Sequence, residues 1–126
     1  MEYIQLTKRE NQVMDILWKE NHKMSANEIA QTTEGLSIYT VSQVLQHLLS
    51  IGYVKVSGIE KNKKSIARLY SPCISESEYI SSFIKKETFE ELTLHFIQNN
   101  DDLESIIKLE KLIEQKKKEL NQKVWI

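Results

Sequence analysis

The 126-residue sequence predicts a mainly α-helical protein with one small β-hairpin, on three observations. Before residue 51, three stretches carry apolar residues at helical spacing behind hydroxyl caps. A basic, alternating stretch follows Gly52, and two longer apolar-striped stretches follow Pro72. With one Pro and three Gly in the whole chain, little interrupts the helices.

The first helix is expected over residues 7–20. Thr7 and Glu10 have the spacing of a capping box, and Val13, Met14, Leu17 and Trp18 then fall on one face. After the connection "NHK", Ser25 and Glu28 form a second box ahead of Ile29 and Ala30, so a short helix spans 25–33 until "EG" breaks it. Ser37 can cap the third helix. There Val41, Val44, Leu45, Leu48 and Leu49 make a buried stripe, and Gly52 stands where a left-handed residue commonly ends a helix. The segments "YVKVSGI" and "SIARLYS" alternate as two strands around the basic turn "EKNKK". Three helices followed by a basic hairpin is the order of a winged helix-turn-helix.

Pro72 and "CISESE" mark a boundary, dividing the chain into a winged-helix domain over 1–73 and a helical domain over 74–126. "SEYISSFIKKETFEELTLHFIQ" and "DDLESIIKLEKLIEQKKKEL" read as two amphipathic helices. Tyr79, Phe83, Phe89, Leu92, Phe96, Ile106, Leu109 and Ile113 give them more apolar surface than a lone pair of helices can bury. The expected partner is the same arm of a second subunit, making a homodimer. Lys116, Lys117 and Lys118 suit the solvated, electronegative end of the last helix.

Composition excludes several classes. No apolar run approaches the roughly 18 to 20 residues of a membrane span. The start "MEYIQLTKRE" lacks the pattern of a signal peptide, so a cytoplasmic protein is expected. Cys73 is the single cysteine and is read as a small buried or half-buried side chain; no intrachain disulfide or Cys-rich metal cluster can form. His22, His47 and His95 lie in unrelated segments, and phosphate-cradling glycine loops are lacking, so neither an enzyme nor a cofactor is expected.

The net charge of −1 conceals an asymmetry. Residues 1–73 hold nine Lys/Arg against seven Asp/Glu, while residues 74–126 hold eight against eleven. Between Met24 and Val54 no Lys or Arg occurs, and His47 alone could carry positive charge. The exposed face of the third helix therefore offers amides and hydroxyls: Tyr39, Gln43, Gln46 and Ser50, with Thr40 and His47 on one edge and Ser42 on the other. Tyr39, Thr40, Ser42, Gln43, Gln46 and His47 are the candidate base-reading residues, since a helix fits the major groove and Gln pairs with adenine. Candidate phosphate contacts are Lys55, Lys61, Lys63, Lys64 and Arg68 of the hairpin, with Ser37, Lys8 and Arg9, and Lys23 behind them.

The order "LTKRENQVMDILW", "SANEIA", "SIYTVSQVLQHLLSIGYV", basic wing and "FEELTLHFIQNNDDL" resembles the BlaI/MecI/CopY family of bacterial repressors, from Leu6 to about Leu120. The resemblance implies a dimeric repressor on a palindromic double-stranded operator, often ahead of resistance genes. In the beta-lactam branch, a membrane sensor protease leads to cleavage within the arm. That branch's Asn-Phe cleavage dipeptide aligns with His95-Phe96, keeping only the Phe, and where it typically has Lys-Thr and then Arg early in the third helix this chain has Tyr39, Thr40 and Ser42. The paired Cys motifs of the copper branch do not occur after Cys73. Two other readings are a winged-helix module that binds protein, favoured by the uncharged helix, and a regulator that takes a small ligand between the arm helices near Tyr79, Phe83 and Phe89.

Overall fold

The computed structural model describes residues 3–62 and 64–124. The chain divides into two compact units, one running to Phe83 and the other beginning at Ile84.

In the first unit, α1 (Lys8–Glu20) opens on a complete capping box. Thr7 N–H donates to Glu10 Oε1 at 2.9 Å and Glu10 N–H to Thr7 Oγ1 at 3.3 Å, which satisfies two N–H groups that have no partner within the helix. Asn21, in the left-handed conformation with φ 55°, closes it. Ser25 ends a two-residue strand, β1 (Met24–Ser25), and caps α2 (Ala26–Thr32) through its own box with Glu28. α3 (Ile38–Ser50) is capped by Ser37, whose hydroxyl accepts Thr40 N–H at 3.1 Å, and Gly52 (φ 80°) turns the chain out of it. Val13, Met14, Leu17, Ile29, Val41, Leu45 and Leu48 are fully buried between the three helices.

Strands β2 (Val54–Asn62) and β3 (Ser65–Pro72) form the wing, in a three-stranded antiparallel sheet of order β1-β3-β2. The strands extend further towards the tip than the sequence predicts, since Glu60, Lys61 and Asn62 pair with Ala67, Ile66 and Ser65 rather than forming the turn. An irregularity between Val56 and Gly58 shifts the register, and there the Ser57 and Ser71 hydroxyls meet.

The expected boundary after residue 73 is corrected. α4 (Glu76–Ser81), capped by a Ser75–Glu78 box, packs on the first unit. Tyr79, expected at a dimer interface, is 8% exposed within the winged-helix core. Its ring lies 5.8 Å from Trp18, 6.2 Å from Tyr53 and 5.0 Å from Phe83, centroid to centroid. Phe83 is half exposed on its edge. Trp18 Nε1–H donates to Ile74 O at 2.9 Å and pins the segment between wing and α4. Cys73, expected to be at least half buried, is exposed.

The single helix expected over 77–98 is instead broken. Ser81 and Ser82 turn their hydroxyls onto the carbonyls of Glu78 and Tyr79, and the backbone tightens, Phe83 N–H bonding to Ile80 O.

The second unit holds α5 (Lys86–Gln98) and α6 (Leu103–Val124), with Asp102 accepting Glu104 N–H and the Ser105 hydroxyl at the start of α6. Ile97, Ile106 and Leu109 are half buried around an apolar groove of about 180 Å³. None of the described residues of this unit is fully buried, and Phe89, Leu92, Phe96, Leu112 and Ile113 stay about half exposed. No helix among the described residues is long and apolar enough to cross a membrane.

Candidate nucleic-acid interface

With Val41, Leu45 and Leu48 turned into the core, the helical repeat carries Tyr39, Gln43, Gln46 and Ser50 outward, and all four are exposed. Tyr39 is 69% exposed, and Gln43 Nε2–H donates to its hydroxyl at 2.9 Å. This i, i+4 pair fixes both side chains on one strip while leaving Gln43 a second N–H and its carbonyl. A bidentate contact to adenine uses one donor and one acceptor of that kind.

The two edges of this face have different neighbours. At one, Ser37 Oγ donates to Thr40 Oγ1 at 3.1 Å, and His47 meets the carboxylate of Glu10. Lys8 and Arg9, which precede Glu10 in the first turn of α1, are both exposed. Burial pushes the Glu10 carboxyl up, but hydrogen bonds from the Thr7 backbone, His47 and the Thr7 hydroxyl outweigh it, and the net shift is below the ordinary value.

At the other edge, Ser42 and Ile38 line a cleft of about 620 Å³ shared with Asn27 at the start of α2 and with Glu60, Arg68 and Tyr70 of the wing. The base-reading candidate Ser42 and the phosphate candidate Arg68 thus line one concavity. Since side chains alternate along a strand, Arg68 and Ile66 share the face of the buried Tyr70. Opposite them on β2 lie Ile59 and Lys61. The wing therefore presents two cations and two exposed isoleucines together. Lys55 stands opposite Ser71 at its base and Lys64 at its tip; Lys63 lies outside the described residues. Lys23 lies along the strand at Gly58, its Nζ 3.2 Å from where a Cβ would stand.

Sequence reasoning missed Ile38, Ile59 and Ile66, since an exposed isoleucine in a strand or at a helix start gives the same pattern as a buried one. It missed Glu10 as a partner of His47, because 37 positions separate them. Among the described residues, no group of three or more His, Cys, Asp or Glu could hold a metal ion.

A helix-turn-helix whose last helix turns a polar, uncharged face outward, followed by a basic wing, defines a winged-helix DNA-binding protein. The chain belongs to the penicillinase repressor family, that of BlaI, MecI and CopY, whose family model matches residues 6–124. It is accordingly a DNA-binding transcriptional repressor and not an enzyme. Similar solved structures include the DNA-binding domain of the repressor BlaI, 27% identical over 68% of this chain and 96% of that one, with a TM-score of 0.44. A MarR family regulator from Neisseria meningitidis is 21% identical over 94% of this chain and 81% of its own, TM-score 0.45. A mutant of ZitR from Lactococcus lactis is 19% identical over 95% and 79%, TM-score 0.44. A comparison with curated proteins gives no match.

Proposed function

We propose that the chain acts in the cytoplasm as a homodimer on a palindromic operator, with α3 in the major groove and the wing on the phosphates. The observation that carries this reading is the division of chemistry around α3. Its exposed strip, Tyr39, Gln43 and Gln46, has hydrogen-bonding groups and no charge, whereas Arg68 of the wing lines a cleft shared with Ser42 of α3, and Lys61 on the wing and Lys8 and Arg9 on α1 are further exposed cations of the same unit. Phosphate neutralisation gives affinity without sequence information, and base-edge contacts give sequence. An uncharged amide face suits A·T-rich half-sites better than a guanine, which Arg or Lys would read.

Dimerisation is supported by the second unit, in which α5 and α6 leave Phe89, Leu92, Phe96 and Ile113 without cover. Half-exposed aromatic and aliphatic side chains in a row gain about 25 cal/mol per Å² when an apolar partner covers them. A second copy also raises the effective concentration of the second half-site, offsetting the few cations per subunit.

The regulated genes would be those of resistance or stress, and a membrane sensor protease, the route to release in the family's beta-lactam branch, would be a further partner. His95 and Phe96 lie inside α5, with Asn99 Nδ2 donating to His95 O at 2.9 Å, so a cut between them needs that helix to open first. A ligand site lined by Tyr79 is not supported, because that ring is in the winged-helix core. Gel shifts with the DNA upstream of the chain's own gene, together with sedimentation equilibrium, test the reading: a salt-sensitive shift by a dimer supports it, and no shift by the intact protein refutes it.

A further inference from the structure

Glu10 is a buried carboxylate, 7% exposed, with both oxygens engaged. Oε1 accepts Thr7 N–H, and Oε2 faces Nδ1 of His47, whose side chain is 54% exposed at the edge of the α3 face. Because the hydrogen bonds around Glu10 keep it ionised, it can only accept, so Nδ1 carries the proton. The hydrogen bond at one imidazole nitrogen sets the role of the other. In the neutral ring, Nε2 is then an acceptor.

We propose that Glu10 is a positioning residue for operator recognition: by holding His47 through Nδ1 it makes Nε2 an acceptor on the DNA-facing edge of α3, matched to a base amino group. Adenine N6 and cytosine N4 are the amino groups exposed in the major groove. This rests on α3 being the reading helix. It assigns His47 a contact opposite in polarity to that of a basic side chain at the same place.

The substitution Glu10→Gln separates this from a packing role. Gln retains the capping-box acceptor for Thr7 N–H, so its NH2 group turns to His47, Nδ1 becomes the acceptor, and Nε2 acquires the proton. His47→Asn keeps a donor near the Nδ1 position and removes the Nε2 position, whereas His47→Gln does the reverse.

The test is fluorescence anisotropy with a duplex of the region upstream of the chain's own gene, on Glu10→Gln, His47→Asn, His47→Gln and the Glu10→Gln/His47→Asn pair, with 15N NMR of the His47 ring. Glu10→Gln and His47→Asn are each expected to weaken binding about three- to tenfold, the size of one hydrogen bond. His47→Gln should keep more affinity than His47→Asn, and the double variant should bind no more weakly than His47→Asn alone. The ring should be the Nδ1–H tautomer in the natural chain and shift towards Nε2–H in Glu10→Gln. Unchanged binding in both single variants, additive losses, or an Nε2–H ring in the natural chain would overturn the proposal while leaving α3 as the reading helix. Failure of the natural chain to bind the duplex would overturn both.

Discussion

The phenol of Tyr79 accepts the backbone N–H of Leu6 at 2.8 Å, joining two residues 73 positions apart. The segment before α1 is thereby tied to α4, and Tyr53, between α3 and β2, holds the same segment by donating its hydroxyl to Ile4 O at 2.7 Å. The winged helix is closed by residues beyond its wing.

Tyr79→Phe should lower the unfolding free energy by about 1 kcal/mol, since the ring remains and one part-buried N–H loses its partner. Tyr79→Ala should cost about 3–5 kcal/mol through loss of a buried aromatic. Urea denaturation followed by Trp18 fluorescence measures both. A chain cut after residue 73 should be less stable than one cut after Phe83.

On the arm, Ile113→Glu and Leu92→Glu change side chains that are half exposed within one chain, so each protomer should keep its fold. If a second copy covers them, either change should weaken the dimer by at least about 2 kcal/mol, roughly thirtyfold in Kd. Sedimentation equilibrium with circular dichroism separates dissociation from unfolding.

Acidification should act on Glu10. Its carboxyl lies below the ordinary value of 4.5 in the folded chain, so its contribution to stability is present above that value and is lost as pH falls through the lower, folded one. Glu10→Gln cannot titrate, and its loss of stability below about pH 4.5 should be shallower than that of the natural chain. Thermal melts across pH 3 to 6 show the difference.

How far the sequence could be read depends on the range of the forces involved. Thr7–Glu10, Ser25–Glu28 and Ser37 are local signals, and each caps the helix it was expected to cap. Ser75 and Glu78 have the same spacing and would have placed the start of α4. β1 was not legible, because two residues show no alternation and Met24 and Ser25 become a strand only by pairing with Tyr70 and Leu69. The break after α4 has no Gly or Pro to announce it. The assignment of Tyr79 to an interface failed because its apolar spacing is the same whether the covering surface belongs to this chain or another. At the candidate site, face and edges of α3 followed from the helical repeat, but the tie from His47 to Glu10 needed the fold.

The division of labour between helix and wing is tested most directly by the salt dependence of operator affinity for the natural chain, Lys61→Ala/Arg68→Ala and Gln43→Ala, each on the upstream duplex and on base-substituted versions of it. The wing variant should bind every duplex more weakly, keep the natural ranking, and flatten the slope of log K against log salt by about one for each phosphate no longer neutralised. Gln43→Ala should keep the slope and lose about 1–3 kcal/mol of discrimination at one position of each half-site. A wing variant that changed the ranking, or a Gln43→Ala chain that ranked the duplexes as the natural protein does, would contradict it.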